Sequence, residues 1–475
     1  MIEKKPNIVF IVFDTCRFDV FNEVLNEGKL PNLNELINKS IYYENAISPS
    51  SWTTPSHVSY FTGLYPSEHR VHETQTLKQS SVIMNQIYNF PGKFLTEVLK
   101  ENGYNTYGFV ANPNLSPGTG FERGFDYLGF IDMFEDLYDL WEVTRLKLRN
   151  EFPKSEDEII RLANNFDLKE MIRFSCKNWN FLKLPGMISI YRKFLKIARS
   201  LGYPEQKGGK KIVNVIKNSA FENPFFLFIN FMEMHDPYSV GKGEFFSGEG
   251  KKMLSFLSGE NNIRPEVLNT YKKLYKRELT LLDQHMGDLI GKLKKSEVYD
   301  DTVIIITADH GQNFGEEHFY GHGVLLSDSL IRVPLIIKPI SKVELPVNNR
   351  YQPLTNLFKF LVRCSEGIVD LDLLSEDIAY SESFGIQEDY NEMLKFEPAI
   401  ISKLQKYDHR SLAVYFEDIK AIASVEMNKY KIELISSSNS HVPVDEYKIK
   451  KINDHFKKFL GFRYENISQD REVEK

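Results

Sequence analysis

A threonine at the head of a short helix, two aspartates and several histidines carry the chemistry that this 475-residue sequence offers. Thr53-Thr54-Pro55-Ser56-His57 reads as a helix start. Pro55 falls in the first turn, where its missing N–H costs nothing. A threonine or serine there can cap the turn with its side-chain oxygen. The same position has a second use. The helix dipole and the free N–H groups favour an alkoxide and a bound tetrahedral anion, and a nearby divalent cation lowers the hydroxyl pKa further. Thr53 is thus either an N-cap or a nucleophile.

The elements that must position these groups read as strands and helices in alternation. Ile8–Phe13 is a short, β-branched, apolar run ending at Asp14. Thr302–Thr307 is a second such run, ending just before Asp309-His310. A third lies within Pro224–Tyr238 and ends near His235. Tyr107–Val110 and Leu335–Ile337 complete the set. Helical patterns occupy Pro31–Ile37, Pro91–Asn102 and Val267–Lys295. The alternation predicts an α/β fold with a mostly parallel sheet sandwiched by helices. Ligands of such sheets sit beyond the carboxyl ends of the strands. Asp14, His235, Asp309 and His310 all fall at that edge, so residues distant in sequence are predicted to converge on one site.

Residues 130–215 read as a helical insertion in a catalytic domain spanning 1–345. It is charged, with a basic amphipathic stretch over 186–203 and a flexible polar return, Glu205-Gln206-Lys207-Gly208-Gly209-Lys210-Lys211. A packed helical hairpin, which can also serve as a lid, is favoured over a membrane-surface helix. From 346 to 475 the chain turns to short hairpin strands and a closing amphipathic helix, a smaller α+β subdomain. The last residues, 465–475, read as a disordered tail.

Composition excludes several classes. Hydrophobic residues make up 42% and charged residues 26%, as in an ordinary globular protein, and the net charge of −6 predicts no nucleic-acid binding. Cys16, Cys176 and Cys364 are odd in number and far apart. They form neither a zinc spacing nor a disulfide framework, which points to a reducing cytoplasm. The apolar run before Asp14 is too short for a signal sequence, and no stretch of about 20 apolar residues predicts a transmembrane segment. The oligomeric state stays open.

The run SSWTTPSHVSYFTGLYPSEH (50–69) resembles the active-site signature of the sulfatase branch of the alkaline phosphatase superfamily: Cys or Ser, then x-Pro-Ser-Arg, then Thr-Gly. PNIVFIVFDTCRFD (6–19), GYNTYGFVANPNLSPGTGFERGFD (103–126), NPFFLFINFMEMHDPY (223–238) and TADHGQNFGEEHFYGHG (307–323) with IRVPLII (331–337) follow that family in order. The hairpin strands after 345 resemble its small antiparallel C-terminal subdomain.

The resemblance implies that Asp14, Asp309 and His310 bind a divalent metal, with Thr53 as nucleophile and fourth ligand. Sulfatases oxidise their Cys or Ser to formylglycine. Threonine carries a methyl group on its β-carbon and cannot become an aldehyde, so no formylglycine is expected. His310 stands where calcium sulfatases have Asn, and Thr15 where many have a second Asp. Imidazole suits zinc, manganese or iron, whereas calcium takes six to eight oxygens. The Asp-His pair also resembles phosphonate monoester hydrolases and nucleotide phosphodiesterases.

The remaining roles come from the same resemblance. His322, in Gly321-His322-Gly323, replaces a Lys and either contacts substrate oxygens or binds a second metal. His235 is a substrate ligand and candidate acid for the leaving oxygen, or a second-site ligand with Glu233 or Asp236. His57 replaces the Arg that helps hold formylglycine and, with Asn112, is a candidate substrate contact. Arg17 and Arg332 are read as structural, and His69, His72 and His318 as surface or supporting residues.

These readings predict a metal-dependent hydrolase of small phosphate, phosphonate or sulfate esters. Phosphorus esters are favoured, because a threonine sulfate lacks formylglycine's exit by hemiacetal elimination. The competing readings are a phospho- or phosphoglycerol-type transferase on the same scaffold and a non-catalytic binding protein.

Overall fold

The three apolar runs that end at Asp14, near His235 and before Asp309 lie side by side at the centre of one sheet. The computed structural model describes residues 5–72, 86–131, 207–236, 238, 265–340, 350–386, 407–426, 429–437, 445–461, 465–466 and 472–473. Every residue of β1 (Asn7–Phe13) is buried. Helices α1 (Phe18–Asn26) and α2 (Pro31–Ile37) follow, then β2 (Ile41–Ile47) and α3 (Thr53–Thr62). Next come α4 (Leu95–Glu101), β3 (Asn105–Val110), β4 (Tyr127–Phe130), α5 (Gly209–Asn218) and β5 (Phe225–Phe231). The long α6 (Pro265–Lys295), β6 (Thr302–Thr307), β7 (Arg332–Lys338), β8 (Gln352–Pro353) and α7 (Asn356–Ser365) complete the layer.

The eight strands run in the order β8-β2-β7-β6-β1-β5-β3-β4. Strand β1 pairs in parallel with β5 and β6, placing Phe10 beside Phe228 and Ile305. β3 joins β5, and β4 joins β3, in the same sense. Only β7 is reversed, antiparallel to both β6 and β2. The sheet is therefore mostly parallel, with helices on it, as the strand–helix alternation predicts. Being covered on both faces, β1, β5 and β6 carry no polar–apolar alternation.

Helix α3 is seated on this sheet by its aromatic side chains, Phe61 foremost, with Tyr60 and His57. The ring of Phe61 lies 5.1 Å from that of Phe228 and 5.4 Å from that of Phe121. Phe10, Phe94, Phe125 and Phe226 surround it at 6.2–6.5 Å. The helix stops at Gly63, whose left-handed φ of 73° closes the last turn onto the Ser59 carbonyl.

Several details differ from the sequence reading. β2 escapes it because Glu44 and Asn45 interrupt the apolar run; the pairing to β7 shifts register between Tyr43 and Ala46. Helix α4 begins at Leu95 rather than Pro91, with Glu97 Oε2 accepting the Phe94 N–H. The segment Lys207-Gly208-Gly209 is buried and opens α5 instead of forming a flexible return. Residues 132–206 of the expected insertion lie outside the described residues.

Toward the C terminus, β8 still pairs with β2 and α7 packs on α3 and α4, so the main layer continues past the boundary at 345. The small sheet starts at β9 (Ile378–Ser383), followed by β10 (Arg410–Phe416), β11 (Ile419–Val425) and β12 (Lys429–Ser437), all antiparallel. α8 (Glu446–Leu460) covers it with Ile452 and Phe456. Two dipeptides of the expected tail, Glu465–Asn466 and Glu472–Val473, pair with β12.

Truncating Phe61 should unseat α3. For Phe61→Ala, urea unfolding of the purified protein should show a loss of about 3–5 kcal/mol, the cost of an aromatic cavity in a packed core.

Candidate active site

Five parallel strand ends supply the site. Asp14 follows β1, Asp309 follows β6, His235 follows β5 and Asn112 follows β3, while the turn after β2 leads to Thr53 at the start of α3. This is the carboxyl edge of the sheet, where ligands of open α/β folds bind. Immediately after Asp14 the backbone turns sharply. Thr15 has φ +61°, a conformation that β-branched residues rarely adopt. The turn is held at both ends: Thr15 N–H donates to Asp309 Oδ1 at 3.1 Å, and Tyr275 Oη donates to the Thr15 carbonyl at 2.7 Å.

The two aspartates are buried completely and only half satisfied. Asp309 Oδ1 accepts from the backbone N–H groups of Thr15 and His310. Asp14 Oδ2 accepts from Asn112 Nδ2 at 2.7 Å and from Asn230 Nδ2 at 3.4 Å. Asp14 Oδ1 and Asp309 Oδ2 have no hydrogen-bond partner among the described residues, although His310 Nε2 lies 3.4 Å from Asp309 Oδ2. Burial, with the neighbouring Asp309 charge, raises Asp14 to about 6, and burial raises Asp309 to about 7. Two buried carboxylate oxygens without donors are a cost that a cation removes.

His310 completes the set. Its Nδ1–H donates to the Gly311 carbonyl at 2.9 Å, which fixes the tautomer and leaves the Nε2 lone pair free. Burial lowers its pKa to about 4, so the ring is neutral, the state that ligates. Ligand atoms of Asp14, Asp309 and His310 all lie within 4.8 Å of one another. Among the described residues this is the group able to hold a metal ion. Gly311 allows the close approach this needs, since a Cβ there would stand 1.9 Å from the Ser329 carbonyl oxygen.

Thr53 faces the same point. Its Oγ1 lies 3.4 Å from His310 Nε2 and accepts from Asn112 Nδ2 at 3.4 Å. The N-cap of α3 is Trp52, with no side-chain cap bond, so Thr53 occupies the first helical position and its hydroxyl does no capping work. The segment carrying Asp309 is clamped to this helix. Tyr60 Oη donates to the Ala308 carbonyl at 2.9 Å, and Ser48 Oγ donates to the Asp309 carbonyl.

Two more imidazoles border the cluster. The His322 ring centroid lies 4.5 Å from that of His310 and 5.1 Å from that of His235. His322 Nδ1–H donates to Gln312 Oε1 at 2.7 Å, which turns Nε2 outward, and burial keeps the ring neutral. His235 behaves differently. Burial works against its charge, yet the hydrogen bond and charge of Asp236, at 3.0 Å, hold its pKa at about 9.

The other candidates take different places. Glu233 is engaged with the Gly209 N–H at 2.9 Å and lies 3.8 Å from His285 Nε2; it does not join the metal cluster, and burial raises it to about 7. His57 is fully buried among the rings of Tyr60, Phe121 and Phe228. Its Nδ1–H donates to the Thr53 carbonyl at 2.9 Å and lies 3.7 Å from Asp309 Oδ2, so it sits inside the protein behind Thr53. Asn112 holds Asp14 and Thr53 together rather than standing apart from them. His69 bonds Ser59 Oγ and the Val71 N–H, and His72 stacks on Phe384. Arg17 ties Asp19, Glu316 and the Gln312 carbonyl, and Arg332 bonds Glu44 and Asn45.

Gln312, Asn230, Ser48 and Tyr275 were not legible as site residues. Gln312 and Asn230 neighbour the motif residues in sequence, but nothing in their spacing marks them as partners. Ser48 and Tyr275 act on backbone atoms, which leaves no pattern in a sequence.

Comparison with known proteins reports the same relationship. The family model described as Sulfatase matches residues 6–368. A multifunctional alkaline phosphatase superfamily protein, PehA, from Trinickia caryophylli is 23% identical, over 70% of this chain and 68% of its own. A choline-sulfatase from Rhizobium meliloti is 22% identical, over 71% of this chain and 63% of its own. The structure of a phosphonate monoester hydrolase from Silicibacter pomeroyi superposes with a TM-score of 0.62 at 15% identity, over 96% of this chain and 94% of that one.

The unpartnered carboxylate oxygens generate a direct test. Purified protein should carry about one equivalent of a divalent metal by mass spectrometry, since a preformed buried site binds as it folds. Chelation should lower the melting temperature, and Asp309→Asn should lose most of the metal.

Proposed function

The chain belongs to the sulfatase family, and we propose that it is a metal-dependent ester hydrolase whose nucleophile is Thr53 itself. The observation that carries this reading is the position of Thr53 Oγ1. It stands at the N-terminus of α3, beside His310 Nε2 and Asn112, facing a cluster with two unpartnered carboxylate oxygens.

Asp14, Asp309 and His310, with Thr53, would hold the ion. Zinc, manganese or iron fits this mixed imidazole–carboxylate set better than calcium. The ion would supply positive charge that favours the ionised threonine hydroxyl and the non-bridging oxygens of the ester. No formylglycine is involved, because the β-carbon of Thr53 carries a methyl group.

The reaction then runs as an in-line displacement. Thr53 Oγ1, already ionised, forms a bond to phosphorus as the bond from phosphorus to the leaving oxygen breaks. His235, protonated through its pairing with Asp236, gives its proton to that oxygen. Water next attacks phosphorus and returns a proton to His235, and the Thr53 ester bond breaks. The outward Nε2 of His322 borders the place of the non-bridging oxygens. Asn112 orients Thr53 and Asp14, and His57 supports Thr53 from behind.

Charge favours a singly charged ester. Among the described residues no Lys or Arg bonds Asp14, Thr53, Asp309 or His310, and Arg17 is occupied by Asp19 and Glu316. One ion opposite two carboxylates leaves little positive charge for a dianion. Phosphate diesters and phosphonate monoesters are therefore the preferred substrates, ahead of phosphate monoesters. Sulfate esters rank lower, because a threonine sulfate lacks the easy exit of a formylglycine hemiacetal. The free, buried Cys16 and Cys364 are compatible with a reducing cytoplasm, and no described helix is long and apolar enough to cross a membrane.

A panel of aryl phosphate mono- and diesters, phosphonates and sulfates, run with manganese, zinc and calcium, tests the reading. Thr53→Ala should lose roughly a thousandfold or more in kcat, as enzymes do when the nucleophile of a catalytic unit is removed. Retained turnover in Thr53→Ala sinks the nucleophile. Fastest turnover of a sulfate overturns the preference for phosphorus.

A further inference from the structure

Lys207 stands outside the metal cluster, yet it is bonded to the loop that carries His235. Its side chain is almost wholly inside the protein, 1% exposed. The ammonium donates to the Glu233 carbonyl at 2.8 Å and to the His235 carbonyl. It lies 4.0 Å from Glu278 Oε1 and 5.0 Å from the centre of the Tyr238 ring. A buried lysine is costly unless its charge and its donors are satisfied. Here a carboxylate lies at ion-pair distance, and two of the three N–H groups are directed at main-chain carbonyls of one loop.

The neighbouring residues grip the same loop from another side. Gly209 N–H donates to Glu233 Oε1, and a Cβ on Gly209 would stand 2.2 Å from that oxygen. Gly208 takes φ +93°, which brings the chain past Ala111 and Ile131. Lys207-Gly208-Gly209 therefore holds the loop at the Glu233 and His235 carbonyls and at the Glu233 carboxylate. Among the described residues, the loop itself supplies one turn bond, from His235 N–H to the Met232 carbonyl, and the Asp236 contacts of the imidazole. Nothing in the mechanism above uses Lys207 chemically, and its ammonium points at the backbone.

We propose that Lys207 is a positioning residue for His235, fixing the imidazole that protonates the leaving oxygen. This rests on the reading of His235 as the general acid. Removing the ammonium leaves two buried carbonyls without donors, and the loop relaxes toward other partners. The imidazole then lies off the line to the leaving oxygen, and proton donation weakens while the Thr53 attack is left alone.

The consequence depends on the leaving group. Aryl esters with acidic phenols leave without a proton, whereas those with poorly acidic phenols need one. In Lys207→Met, kcat should fall about tenfold or less for a nitrophenyl ester and about a hundredfold for the unsubstituted phenyl ester, within the range of lost general acid catalysis. His235→Ala should show the same steepened dependence. The double variant should be no slower than His235→Ala, since two residues acting through one step are not additive. Metal content should stay at the wild-type level in all three. Parallel losses across leaving groups, or additive losses in the double variant, overturn the proposal. If the wild type hydrolyses none of the esters, the functional reading falls by itself. The crystal structure of Lys207→Met then decides the positioning: a displaced His235 ring supports it and an unmoved ring overturns it. Should Lys207→Met not fold, Lys207→Gln, which keeps a donor and drops the charge, is read in the same way.

Discussion

Two carboxylates buried side by side are the constraint on which the rest of this structure depends. With candidate ligand atoms within 4.8 Å of one another and an effective dielectric near 20, two full charges repel by roughly 3 kcal/mol or more. Burial adds to that cost, which is why both groups are pushed toward neutrality. Such a pair is stable in a folded protein only if something cationic lies between the two or if one stays protonated. The arrangement of donors favours the cation. Each aspartate has one oxygen fully engaged and the other left open toward the common point.

Holding two aspartates in a destabilising position takes scaffolding, and most of it acts on backbone atoms. Tyr275 bonds both the Thr15 carbonyl and the Arg17 N–H, stapling the strained turn after β1 to α6. Arg17 reaches across to the Gln312 carbonyl and Glu316, linking that turn to the segment after β6. Tyr60 and Ser48 hold the carbonyls of Ala308 and Asp309 from the side of α3. The helix that presents Thr53 is thus the same helix that fixes Asp309, so the two side chains are positioned by one rigid body. Phe61 anchors that body in the core. Errors of about 1 Å at such a site cost activity steeply, which gives the dense packing around α3 a catalytic meaning.

The three imidazoles around the cluster show how environment divides one residue type among tasks. His310 is buried and His322 half-buried, and both donate Nδ1–H to neutral oxygens, so they remain uncharged with Nε2 free. His235 has Asp236 beside it and keeps its proton. His57, packed among rings, is also neutral, with burial taking it to about 3. A neutral ring ligates or accepts; a protonated one donates. The division is made by the residues behind each ring and not by the ring itself.

The sequence by itself determined the central strands and the residues at their ends. Apolar runs such as Ile8–Phe13 and Thr302–Thr307 are buried on both faces, and Asp14, His235 and Asp309-His310 terminate them where parallel sheets bind ligands. Thr53 was visible because Pro55 and the following turn mark a helix start. Tertiary structure decided which of these groups meet and what state each is in. Glu233, two residues from His235, turns to Gly209, and His57, four residues from Thr53, turns into the core. Residues close in sequence find different partners because different elements pack against each of them, and no local pattern records which. Lys207, read as part of a flexible return, is buried against two carbonyls for the same reason. Its partners are main-chain atoms, which every residue has, and only their placement in space selects them.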